Sequence, residues 1–64
     1  MRKKKYRFSI VYCDDSGAHV DLYESFKEAH SVYRRLCVDQ KARFVYLNKF
    51  DRHGKTQLIK RISK

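Results

Sequence analysis

The chain lacks several things that would point to a specific chemistry. It has no proline, no tryptophan, two glycines, two cysteines and seven acidic residues among 64. No window approaches the ~18 apolar residues of a membrane-spanning helix. Gly17 and Gly54 stand alone, so there is no glycine-rich loop to cradle a phosphate. Each instead closes an acid-containing segment suited to a hairpin turn. Cys13 and Cys37 lie 24 positions apart with no C-x-x-C, which excludes a closely spaced four-ligand zinc set. They read as two half-buried small hydrophobes, with a single disulfide as the alternative in an oxidising compartment. The length permits one small domain and excludes a second domain or a long βαβ repeat. It also argues against a substrate cavity of about 300 Å³ or more.

What is abundant is positive charge. Sixteen Lys or Arg give a formal net charge of +9, and nine aromatic side chains can seed a core. Residues 1–12 contribute +5, residues 13–40 contribute −3 and residues 41–64 contribute +7. The basic start, Arg2-Lys3-Lys4-Lys5-Tyr6-Arg7, runs into only a few apolar residues before Asp14-Asp15. A secretory signal needs an apolar stretch of about 7–15 residues, so a cytoplasmic protein is expected.

Residues 6–12 read as a strand, because Tyr6, Phe8, Ile10 and Tyr12 alternate with Arg7, Ser9 and Val11. Asp14-Asp15-Ser16-Gly17 suits a tight turn, and residues 19–23 alternate again, giving a hairpin. Ser25-Phe26-Lys27-Glu28 has the capping-box pattern. From there Phe26, Ala29, Tyr33 and Leu36, flanked by Val32 and Cys37, recur at helical spacing. This predicts one amphipathic helix of about four turns ending near Asp39 to Lys41. Residues 44–50 form the strongest strand pattern, Asp51-Arg52-His53-Gly54 repeats the turn, and residues 55–62 give a fourth strand.

The order is therefore ββαββ, an α+β fold. One helix reverses the path between strands 2 and 3, and a right-handed crossover over strand 1 gives a four-stranded antiparallel sheet of order 2-1-3-4. The helix packs on one face. Residues 1–5 are a basic arm, 6–62 the domain and 63–64 a tail.

One helix covers only one side of such a sheet, so the other side must be polar or paired. Strand 3 is the decisive element, since Val45 and Leu47 are as apolar as Phe44 and Tyr46. We assign the aliphatic pair to the helix side, which leaves Phe44 and Tyr46 on the open face near Arg7 and the arm. Rings framed by cations suit unpaired nucleic acid: bases stack for about 1–3 kcal/mol each while Lys and Arg neutralise phosphates. The expected contacts are Arg2, Lys3, Lys4, Lys5, Arg7, Arg43, Lys49, Lys60 and Arg61 to phosphate, with Phe44 and Tyr46 stacking. The opposite phase, with both rings in the core and basic tails that only confer solubility, is the competing reading.

No catalytic constellation is legible. His19, His30 and His53 fall on strand 2, the helix and the second turn with no shared face, and Asp14-Asp15 suits a turn. Ser9, Ser16, Ser25, Ser31 and Ser63 have no nucleophile-elbow context. A binding module without metal or cofactor is expected, not an enzyme.

Two stretches resemble a known kind of protein. Ser25-Phe26-Lys27-Glu28-Ala29-His30-Ser31-Val32-Tyr33 with Leu36 resembles an S-F-x-E-A-x-x-x-Y-x-x-L helix. Leu47-Asn48-Lys49-Phe50-Asp51-Arg52-His53-Gly54 with Leu58-Ile59 resembles an L-x-K-x-D-x-x-G-x-x-x-L-I hairpin. The combination is similar to small phage- and prophage-encoded accessory proteins, the general kind that includes anti-CRISPR proteins. The resemblance implies a stand-alone binder of a host or phage macromolecule in the bacterial cytoplasm. The leading expectation is thus an accessory protein binding single-stranded or structured RNA or DNA. The alternative is a protein-binding inhibitor of a host defence nuclease, and a third possibility is a homodimer through the open sheet face.

Overall fold

A computed structural model describes residues 5–63. Its elements are β1 (Phe8–Asp14), β2 (Gly17–Tyr23), α1 (Phe26–Cys37), β3 (Phe44–Phe50) and β4 (Thr56–Ser63). The strands form one sheet of order β2-β1-β3-β4 with every neighbouring pair antiparallel, the expected α+β arrangement. Arg2, Lys3 and Lys4 of the arm lie outside the described residues. No helix among the described residues is long and apolar enough to cross a membrane.

Turn chemistry explains the hairpins. Gly17 and Gly54 have φ of +117° and +82°, a region that L side chains enter only at a cost. In the second turn the Asp51 carboxylate accepts from the amides of His53 (2.8 Å) and Lys55 (2.9 Å). The helix starts where its cap predicts: Ser25 Oγ accepts from the Glu28 amide at 3.2 Å. It stops at Cys37, short of the expected end near Asp39 to Lys41. The Asp39 carboxylate accepts from the Lys41 amide (2.9 Å), and the Asp39 backbone carbonyl accepts from the Ala42 amide (3.3 Å). That local turn competes with helix continuation.

Ile10, Val45 and Leu47 are fully buried against Ala29, Tyr33 and Ala42. Val45 and Leu47 therefore face the helix, as their aliphatic shape suggests. Phe26 corrects the reading of the helix stripe: it is 45% exposed, its ring meeting the edge of Phe8 at 5.7 Å and stacking on His30 at 5.3 Å. The helix closes the core mainly with Ala29 and Tyr33. Burial pushes the Tyr33 phenol above its usual range, with a further contribution from Cys37.

β4 contains a feature absent from the sequence reading. Its register with β3 shifts between Leu47 and Asn48, so that Leu47 opposes Lys60 while Asn48 opposes Leu58. Ile59 is the extra residue of this bulge, and it packs on the core beside Ile62. The bulge turns Ile59 inward and leaves Leu58 on the opposite side.

Candidate functional site

Strand alternation assigns the uncovered face residue by residue. On β1 it carries Ser9, Val11 and Cys13; on β2, Ala18, Val20 and Leu22. On β3 it carries Phe44, Tyr46, Asn48 and Phe50, opposite Cys13, Val11 and Ser9 in turn. On β4 it carries Thr56, Leu58, Arg61 and Ser63. Phe44 and Tyr46 lie side by side with ring centroids 5.0 Å apart, and both are half-buried. Arg61 sits directly across from Tyr46. Between the rings and Phe50, the Asn48 amide reaches Ser9 Oγ at 3.5 Å, and both residues are nearly covered by their neighbours.

No strand position on this face holds a carboxylate among the described residues. The strand acids Asp14 and Asp21 share the helix side with Tyr12 and Ile10, and the remaining acids lie in turns, in the helix or beside it. The face thus mixes aromatic and aliphatic side chains with neutral polar ones (Ser9, Asn48, Thr56, Ser63) and the cation Arg61.

The proposed cations divide. Arg61 lies on the face. Lys5 and Arg7 gather with Arg52 around a depression of about 240 Å³ that also includes Phe50 and Asp51. Arg43 is exposed at the other end, its guanidinium 3.7 Å from Asp15, a loose pair screened by solvent. Lys49 and Lys60 oppose Phe8 and Leu47, which places them on the helix side, away from both rings. Grouping cations by proximity in sequence overlooked that neighbouring strand residues point to opposite faces. Phe50 and Arg52 were missed, yet Phe50 shares the parity of Phe44 and Tyr46. The antiparallel β1–β3 pairing brings Arg7 to it, with the Phe50 amide donating to the Arg7 carbonyl at 2.8 Å.

Other clusters have a different character. A concavity of about 480 Å³, open to solvent, is lined by Phe26, Lys27, His30, Ser31 and Arg34 along the outer side of α1. It corrects the expectation that no concavity of such size would form. Phe26 and His30 stack at 5.3 Å within it. Cys13 and Cys37, both half-buried, sit on opposite sides of the sheet.

Asp14, Ser16 and His19 are in mutual contact, three residue types used in hydrolases. Asp14 Oδ1 accepts from the Ser16 amide (2.9 Å) and the Ser16 hydroxyl (2.7 Å), and His19 Nε2 lies 3.0 Å away. The same Nε2 is 2.9 Å from Ser16 Oγ. A proton relay needs serine and carboxylate on different ring nitrogens. With both on one nitrogen, the cluster ties the first turn together, and His19 stacks on Tyr12 at 4.8 Å.

The Ser16 hydroxyl, then its amide, then His19 hold the Asp14 carboxyl down from 3.8 to about 2. A carboxyl depressed by folding stabilises the native turn above its unfolded pKa and loses that contribution as pH falls through the folded value. Amide exchange at Ser16 should therefore accelerate between about pH 4 and pH 2. In Asp14→Ala it should be fast throughout and insensitive to pH once intrinsic exchange is divided out. Retained acid-dependent protection in that variant would contradict the assignment.

No protein-family model matches the chain, and neither the curated proteins nor the solved structures contain a significant match to it.

Proposed function

We propose that this protein is a non-enzymatic module that binds single-stranded nucleic acid across its uncovered sheet face. The observation that carries this reading is the placement of Phe44 and Tyr46 side by side on a central strand, on a face whose strand positions hold no carboxylate among the described residues, with Arg61 opposite Tyr46. Bases are flat and uncharged, so they gain from ring contact; phosphates are anionic, so they gain from Arg7, Lys5, Arg52 and Arg61 at the margins. A net charge of +9 adds long-range attraction and speeds encounter. A phage accessory role in a bacterial host is the setting suggested by the helix and hairpin resemblance.

The test is binding of a labelled mixed-sequence single-stranded oligonucleotide at several salt concentrations. The logarithm of affinity should fall linearly with the logarithm of salt, with a slope of about −0.7 for each phosphate neutralised. Arg7→Gln and Arg61→Gln should each flatten that slope by roughly 0.7. Lys49→Gln and Lys60→Gln, on the helix side, should change it less. Affinity that stays constant from low to moderate salt would overturn the reading.

A second reading draws on a separate observation. Val20, Leu22 and Leu58 are 63%, 46% and 53% exposed on the same face, and neither bases nor phosphates require them. Aliphatics of this kind favour a protein partner, such as a host nuclease inhibited by docking. Recovery of one stoichiometric protein from nuclease-treated bacterial lysate, together with no salt-sensitive oligonucleotide binding, would favour it over the first.

A further inference from the structure

The two edges of the sheet are built differently. β4 carries Lys60 and Arg61, and its pairing is interrupted by the bulge, both of which discourage addition of another strand. β2 has no Lys, Arg, Pro or bulge, and it pairs with β1 without interruption over seven positions. Its outer side meets no other strand among the described residues. Val20 and Leu22 on this edge are among the more exposed large hydrophobics.

We propose that β2 pairs antiparallel with β2 of a second copy, about a twofold axis at Val20, joining two four-stranded sheets into one. Charge selects this register. Val20 is the midpoint of Gly17–Tyr23, so full overlap places Val20 against Val20, Ala18 against Leu22 and His19 against Asp21, the last two pairs occurring twice. Centring the axis on Asp21 would set Asp21 against Asp21, and like charges directly opposite destabilise a sheet. Centring it on His19 would set His19 against itself and Asp21 against Gly17, losing the imidazole–carboxylate pairing of the Val20 register. An inward-facing charge such as Asp21 ordinarily guards an edge; here the twofold sets it opposite the partner's His19, whose Nε2 already meets Asp14 and Ser16 and whose Nδ1 is the atom left to face it.

The rest of the molecule permits this approach. α1 packs most extensively over β3, on the far side of β1 from β2. The cations of β4 lie at the opposite edge, and β2 itself contains no Lys or Arg. The joined sheet would align both copies' uncovered faces on one side, with their Phe44–Tyr46 pairs flanking a central aliphatic strip of Val20 and Leu22. The inference is independent of what the open face binds.

Light scattering on the full chain over a concentration series should show the mass rising from 7.8 kDa toward twice that value. Val20→Lys should hold it at the monomer mass throughout with an unchanged circular dichroism spectrum, since the side chain projects into solvent in the monomer. Leu58→Lys, on the same face but on β4 at the opposite edge, should leave association intact. A wild-type chain that stays monomeric, or one whose association is abolished by Leu58→Lys, overturns the proposal. Should Val20→Lys fail to fold, amide exchange on the wild type decides: protection that grows with concentration must be confined to residues 17–23, and its absence or its spread over β3 and β4 refutes the edge pairing.

Discussion

Replacing Phe44 and Tyr46 together by alanine is expected to weaken single-stranded oligonucleotide binding by about 30-fold or more, the lower end of two stacking contacts at about 1–3 kcal/mol each. Each single substitution should cost about 5-fold or more on the same scale. The rings lie 5.0 Å apart, and they sit on the face that the helix does not touch. Removing them sacrifices their mutual contact, worth about 0.5–1.5 kcal/mol, and part of their half-buried surface. The core of Ile10, Val45 and Leu47 is left in place. A thermal melt recorded on the same samples separates the two effects: binding must fall at a temperature where the variant is still folded. The salt slope should stay near the wild-type value, because stacking carries no counterions. A folded double variant with wild-type affinity would remove the rings from any binding role.

Most of the architecture was legible because several local signals agreed. The alternation in residues 6–12, the Ser25 cap and the two acid-to-glycine turns fixed the order of elements, and one helix between two hairpins left the strand order 2-1-3-4 as the consistent closure. The phase of β3 was not decided by pattern, since Phe44 and Tyr46 are as apolar as Val45 and Leu47. The assignment of the aliphatic pair to the helix side rested on shape alone, and the burial of Val45 and Leu47 beside Ala29 and Tyr33 agrees with it. The bulge at Ile59 was not legible, since it depends on strand pairing and leaves no mark in the alternation of β4. Lys49 and Lys60 were placed with the rings because positive charge was read along the chain and not across the pleat. Phe26 fits the helical stripe yet is 45% exposed, because spacing gives the side of the helix a residue occupies and not what packs against it there. The Asp14–Ser16–His19 contacts were half visible: the acid and serine belong to the turn pattern, but His19 joins them only through the β1–β2 register.

Leu47→Ala is expected to destabilise the fold far more than any change on the open face. Leu47 is fully buried on a central strand, opposite Ile10 on one side and Lys60 on the other, at the point where the β4 bulge brings Ile59 onto the core. Leucine-to-alanine changes at such positions cost about 2–5 kcal/mol, combining lost transfer energy with an unfilled cavity. A domain of this size rarely has more than about 3–5 kcal/mol available, so the variant should lose most of its folded population or melt at least about 10 °C lower. Leu58→Ala, half exposed across the sheet, should change stability by less than about 1 kcal/mol. Urea titration followed by circular dichroism measures both. Equal losses would mean that the open face is a second core, covered in solution by something these residues already hold. Unequal losses make the two surfaces separable: on the proposed function, Leu47→Ala is expected to lower oligonucleotide binding only by unfolding the sheet, whereas the Phe44 and Tyr46 substitutions are expected to weaken it on a sheet that is still there.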